Sequence, residues 1–154
     1  MKKTYHITWT TFNSRVSERM KLYRVKTNKK GIFLDEQQEY EITVILEKII
    51  LELELTVLAY NICNDHIHII LVLEEQELSK TIGILKGKST KLYKDLHKIE
   101  DKINLWGQKF DYVFIENIIQ LLNTINYVKN NRKKHGLNIN KKLEKINFCK
   151  KVIT

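Results

Sequence analysis

The sequence predicts an α+β domain, a mainly antiparallel sheet of four to five strands with α-helices packed on it. Three observations predict it. Strand-like runs and helical apolar ladders alternate in the order β-α-β-β-α-β-α. Two of the strand runs are separated by little more than an Asn-Asp pair, the mark of a tight antiparallel hairpin. The chain has 154 residues, 43% of them hydrophobic, which suits one domain with a true core and is too apolar for a disordered chain.

The elements follow in order. Residues 4–11, rich in Thr and aromatics with period-two alternation, read as a strand. Residues 12–34 are basic and weakly patterned, and read as loop. Asp35, with Gln38 three positions on, has the signature of a helix N-cap and its partner. The helix that follows, over 40–54, carries Ile42, Ile45, Ile49 and Leu53 on one side and its acids on the other. Residues 55–63 and 66–73 are the hairpin strands. Leu78, Ile82, Leu85, Ser89, Leu92, Leu96 and Ile99 step by three and four, predicting a helix over 78–100 with its lysines off the seam. Gly83 and Gly87 cost that helix roughly 1 kcal/mol each, and close approach of another backbone is one possible return. Residues 110–115 form a short strand. Residues 117–134 form a helix with Ile118, Leu121, Leu122, Ile125 and Val128 as its core stripe. The tail, 138–154, is a basic tail or helix.

Composition removes other classes. No uncharged apolar stretch reaches the ~18–20 residues of a membrane span, and the start shows no signal-peptide core. Cys63 and Cys149 form no C-x-x-C pair, so neither a disulfide framework nor a thiolate zinc site is indicated. A reduced, cytoplasmic protein is expected. The chain contains no proline, which excludes a proline-rich linker.

The net charge of +9 is unevenly spread: residues 1–34 carry +8, residues 35–77 carry −10 and residues 78–154 carry +11. Two basic segments around an acidic one suggest a face for a polyanion and a separate face kept from it.

His66-Ile67-His68 is the first feature with chemistry in it. Alternate strand residues share a face, so the two imidazoles, roughly 7 Å apart at the backbone, can converge on one metal ion. Two ligands are too few, and a third group must come from elsewhere. On the helix over 117–134, Gln120, Thr124, Tyr127, Asn131 and Lys134 form a polar stripe away from the apolar one. Tyr127 is therefore not needed for the core, and Asn131 lies one turn beyond it with an oxygen able to ligate a hard cation.

These features, in this order, resemble one family. The stretches are YHITWT at 5–10, NDHIHIILVL at 64–73, LKGKSTKL at 85–92, LWGQKFDYVFI at 105–115 and INYVKNNRKKHGL at 125–137. They are similar to the HUH single-strand DNA transposases with one catalytic tyrosine, the group that includes the REP-associated tyrosine transposases. The resemblance implies a ferredoxin-like palm with the histidines on a central strand. It implies His66, His68 and Asn131 as ligands of Mg²⁺ or Mn²⁺, and Tyr127 as the nucleophile that forms a 5′-phosphotyrosine with single-stranded, hairpin-forming DNA. A homodimer is compatible with it, because the tyrosine acts within its own subunit in some such relatives and across a dimer in others. Relatives often carry proline before the histidine pair and after the paired asparagines, where this chain has Cys63-Asn64-Asp65 and Arg132.

Lys86, Lys88 and Lys91 and the run Arg132-Lys133-Lys134 are expected to neutralise phosphates. Trp9, Phe12, Tyr23 and Trp106 are candidates for stacking unpaired bases. Two other readings are open. His6-Ile7-Thr8 matches one half of a two-histidine phosphoesterase, but the second H-x-T copy is absent. A DNA-binding relative that has lost catalysis would have no use for Tyr127 and both histidines.

Overall fold

The computed structural model describes residues 1–14 and 31–152. Four strands, β1 (Lys3–Thr10), β2 (Thr56–Ile62), β3 (His66–Leu73) and β4 (Asp111–Ile115), form one sheet in the order β2-β3-β1-β4. Every neighbouring pair is antiparallel. Helices α1 (Glu36–Glu52) and α2 (Leu78–Leu96) cover one face, and α3 (Ile118–Lys129) lies on the other, followed by the single turn α4 (Asn131–Lys134).

Alternation along the strands makes both faces. Tyr5, Ile7 and Trp9 of β1 join Ile67, Ile69 and Leu71 of β3 in the main core, under Ile42, Leu46 and Ile49 of α1 and Ile82 and Leu85 of α2. The opposite face holds a smaller cluster of Ala59, Ile70, Ile115 and Val128. β3 is covered on both faces, and its even positions away from the main core are where His66 and His68 sit.

The α1 capping box forms as the sequence suggests: Asp35 Oδ1 accepts from the Gln38 N–H at 2.8 Å, and Gln38 Oε1 accepts from the Asp35 N–H at 2.9 Å. The α2 seam keeps Leu78, Ile82, Leu85 and Ser89 but then steps to Tyr93, leaving Leu96 exposed. Helical drift past the three-four ladder brings Tyr93 round, and its hydroxyl accepts from Gln38 Nε2 at 3.2 Å. α2 therefore stops at Leu96, short of residue 100, and Lys98 takes a left-handed backbone (φ 52°). Ser89 belongs in the apolar seam because its oxygen accepts from Trp106 Nε1 at 2.8 Å.

Two open readings are narrowed. A Cβ added at Gly83 or Gly87 would meet nothing within 4 Å, so no described backbone approaches them. The tail is not a helix: beyond one 3₁₀ turn, Lys141–Leu143, it runs irregularly along β2, with the Lys150 N–H donating to the Val57 carbonyl at 2.7 Å. Its apolar contacts, Leu143, Phe148 and Cys149, have no helical spacing, so no amphipathic face exists to hold a helix.

Candidate metal and nucleophile site

The site grows from the second face of β1 and β3. Their register sets Thr8 opposite His68 and His6 opposite Ile70, so His6, Thr8, His66 and His68 project to the same side. His66 and His68 are buried, with ring centroids 5.0 Å apart and planes nearly perpendicular. Each imidazole is held at Nδ1. His66 Nδ1 lies 2.6 Å from Asp65 Oδ1. His68 Nδ1 lies 2.9 Å from His6 Nε2 and 3.0 Å from Thr8 Oγ1. Burial pushes the His6 imidazole below its ordinary range, favouring the neutral ring.

The long polar stripe of the last helix is interrupted at Asn130, which separates α3 from α4. The turn still carries across, since Asn130 N–H donates to Asn126 and Lys134 N–H to Asn130, both at 3.1 Å. Tyr127 and Asn131 consequently stay on one side, as the four-residue spacing requires. Asn131 is fully buried. Its Oδ1 lies 2.7 Å from His66 Nε2 and accepts from Cys63 Sγ at 3.3 Å, while its Nδ2 has no hydrogen-bond partner.

This donor set fits a divalent cation. A carboxylate only accepts, so Asp65 requires the His66 proton on Nδ1, and Nε2 then presents a lone pair to Asn131 Oδ1. Asn131 Oδ1 therefore meets His66 at the ring nitrogen remote from Asp65, where a bound cation would take both atoms as ligands. Two imidazole nitrogens with one carboxamide oxygen suit Mn²⁺ or Mg²⁺ better than a thiolate-seeking ion. Among the described residues no cluster of three or more His, Cys, Asp or Glu offers another metal site.

Tyr127 stands at the rim, 39% exposed. Its ring packs edge-on to His68 and His6, with centroids 5.5 and 6.0 Å away. Lys134 Nζ donates to the phenol oxygen at 3.1 Å and lies 4.7 Å over the ring. An open groove of about 690 Å³ leads to this tyrosine, lined by His6, Asn117, Gln120, Asn123 and Thr124. The arrangement sets a phenol oxygen and an ammonium beside a polar groove, with the imidazoles next to them.

The basic residues divide sharply. Lys133 and Lys134 are exposed, Lys134 on Tyr127 itself and Lys133 on the cleft between α4, β2 and the tail. Arg132 is not: its Nη1 donates to Glu39 Oε1 at 2.6 Å and to the Ile62 carbonyl at 2.9 Å, and its Nε donates to the Asn138 carbonyl at 2.9 Å. It ties α4 and the tail to α1 and is no surface phosphate contact. Burial drives the Glu39 carboxyl upward, against the opposing pull of Asn140 and Arg132. Lys86, Lys88 and Lys91 ride on α2, across the sheet from the histidines. Lys86 Nζ donates to the Gln108 and Lys109 carbonyls, Lys88 pairs with Glu52 at 3.5 Å, and Lys91 is exposed. Of the +8 segment, seven cations lie in 15–30, outside the described residues, as does Tyr23. Trp9 and Trp106 are buried against each other at 5.9 Å and cannot stack on a base.

Sequence reasoning missed Asp65, counted only as a turn residue, and did not connect His6 and Thr8 to the histidine pair. The signal was present. The i, i+2 rule that aligns His66 with His68 also aligns His6 with Thr8 on a strand that could lie alongside.

Comparison with known proteins agrees with this fold. A solved structure of a REP-associated tyrosine transposase bound to a REP hairpin superposes with a TM-score of 0.58 at 17% identity, over 90% of this chain and 72% of that one. A Deinococcus radiodurans protein assigned as a transposase superposes with a TM-score of 0.53 at 19% identity, over 84% of this chain and 91% of that one. At such identities these likenesses establish the fold. No curated protein matches the chain. The family model for IS200-like transposases matches residues 2–131, which include both histidines, Tyr127 and Asn131, and the chain belongs to that family of DNA transposases.

Proposed function

We propose that this transposase cuts and rejoins single-stranded, hairpin-forming DNA through a covalent Tyr127 intermediate, with Mg²⁺ or Mn²⁺ held by His66, His68 and Asn131. The observation that best supports it is the packing of Tyr127 against His68 in one chain, at 5.5 Å between ring centroids. That packing also favours a tyrosine that works with the histidines of its own chain.

The groove admits the strand, and Lys134, beside the Tyr127 hydroxyl, contributes phosphate neutralisation at its edge. A divalent cation held by His66, His68 and Asn131 would, when bound, supply Lewis-acid polarisation of the scissile phosphate. Tyr127 Oη attacks phosphorus and the bond to the 3′ oxygen breaks, leaving a 5′-phosphotyrosine and a free 3′-OH, which conserves the bond energy. In the resealing step a 3′-OH attacks that phosphotyrosine. Negative charge then gathers on the departing phenol oxygen, where Lys134 Nζ already donates.

The test is incubation with hairpin-containing single-stranded DNA and Mn²⁺, scored for a covalent protein–DNA adduct. The adduct is expected with the wild type and absent with EDTA, Tyr127→Phe or His66→Ala, while Tyr127→Phe still binds the DNA. An adduct that survives EDTA removes the metal from the mechanism. Mixing Tyr127→Phe with His66→Ala chains tests the single-chain arrangement, since recovered cleavage would show that two chains share a site.

A further inference from the structure

His6-Ile7-Thr8 lies on the β1 strand beside the histidine pair. Its two polar side chains both reach one atom, His68 Nδ1, at 2.9 Å from His6 Nε2 and 3.0 Å from Thr8 Oγ1. They reach it because β1 and β3 are antiparallel neighbours with Thr8 directly opposite His68. The His6 ring also stacks on the His68 ring, centroids 5.0 Å apart and planes within 23°. We infer that His6 and Thr8 are positioning residues, which hold the single His68 proton on Nδ1 and so assign Nε2 as the nitrogen that ligates the cation.

The inference rests on the metal reading above for the choice of tautomer, and on hydrogen-bond geometry for which side chains hold it. A neutral imidazole carries one proton on two nitrogens, and a metal ligand needs a lone pair on the nitrogen facing the metal. One N–H can be shared between two acceptors, here the lone pair of His6 Nε2 and the hydroxyl oxygen of Thr8. That arrangement puts the His6 proton on Nδ1. Asp65 does the same for His66 through a carboxylate. The two candidate ligands are thus oriented by different chemistries, an anion for His66 and a neutral imidazole–hydroxyl pair for His68. Outer partners of this kind fix ring orientation and ligand basicity, and their loss costs about 10–100-fold in metal affinity.

The decisive measurement is the long-range ¹H–¹⁵N correlation spectrum of the histidine rings in the metal-free protein, which distinguishes the two tautomers. The wild type is expected to show His68 as Nδ1–H. In the double variant His6→Ala, Thr8→Val the Nδ1–H signature should be lost at His68 and kept at His66, whose Asp65 partner is untouched and which reports that the fold is intact. Titration with Mn²⁺ alone, followed by electron paramagnetic resonance, should show affinity about 10–100-fold weaker in the double variant. His6→Gln, whose side-chain oxygen can still accept, should recover part of the loss. Nε2–H at His68 in the wild type, or unchanged Mn²⁺ affinity in the double variant, overturns the inference. A wild type with the Nδ1–H tautomer that takes up no Mn²⁺ overturns the metal reading instead and upholds the hydrogen-bond assignment.

Discussion

The two faces of β1 and β3 are made by the same residues taken alternately, yet they do opposite things. On one face Tyr5, Ile7, Trp9, Ile67 and Ile69 are buried apolar groups under two helices. On the other, His6 and Thr8 both reach His68, and His66 is held between Asp65 and Asn131, so the polar groups are satisfied by one another and by the neighbouring turn and helix. The first face stabilises by removing area from water. The second spends burial on groups whose desolvation must be offset by hydrogen bonds. A single strand can thus be rigid and reactive at once, because the apolar face fixes the backbone from which the imidazoles project. Changes on the apolar face should affect stability, and changes on the polar face should affect chemistry.

The largest expected separation is at Tyr127. Tyr127→Phe should abolish the covalent adduct while leaving the unfolding free energy within about 0.5 kcal/mol of wild type, because the hydroxyl it removes lies at an exposed rim. Chemical denaturation beside an adduct gel checks both halves. Arg132→Ala should do the reverse of a phosphate contact. It strands Glu39, 2% exposed, without its cation and should cost about 3–5 kcal/mol in urea unfolding. A change in DNA affinity with unaltered stability would return Arg132 to the binding surface.

Ile67→Ala, between the two histidines but pointing into the core, should destabilise by about 2–5 kcal/mol. If the folded fraction of that variant retains wild-type Mn²⁺ affinity, the faces are separable; if affinity falls with stability, they are not. Lys133→Ala should lower DNA affinity only modestly and reduce the slope of log affinity against log salt by about 1, with stability unchanged. The smallest effect concerns pH. Burial lowers the His6 pKa, so its contribution to stability is present above the unfolded value of about 6.5 and is lost as pH falls through the folded one. His6→Gln should flatten the decline in unfolding free energy below that pH, and equal slopes for variant and wild type would contradict it.

Much of this was legible in the sequence because it depends on local periodicity. The capping box at Asp35, the hairpin around residues 64–65 and the helical seam from Leu78 to Ser89 need only nearby residues. The resemblance supplied Tyr127, His66, His68 and Asn131 as a set, and the fold brings those four together. What escaped reading depends on distant partners. Arg132 sits in a run of cations, and only the fold reveals Glu39 waiting for it. Lys86, Lys88 and Lys91 have the spacing of a phosphate-binding row, but their helix lies across the sheet from the site. The tail looked basic enough for a solvated helix, and its contacts with β2 set its path instead. His6 and Thr8 could be matched to His68 only through a register that no single strand encodes.

The most direct test of the central claim is to locate the DNA on the protein. Mn²⁺ and a hairpin-bearing single strand labelled on either side of the scissile phosphate should give a trapped adduct whose digest contains one nucleotide-modified peptide. The account predicts that the modified residue is Tyr127 and that it carries the strand whose 5′ end was cut. A modification on another residue, or retention of the strand that ends in a 3′ phosphate, would contradict it.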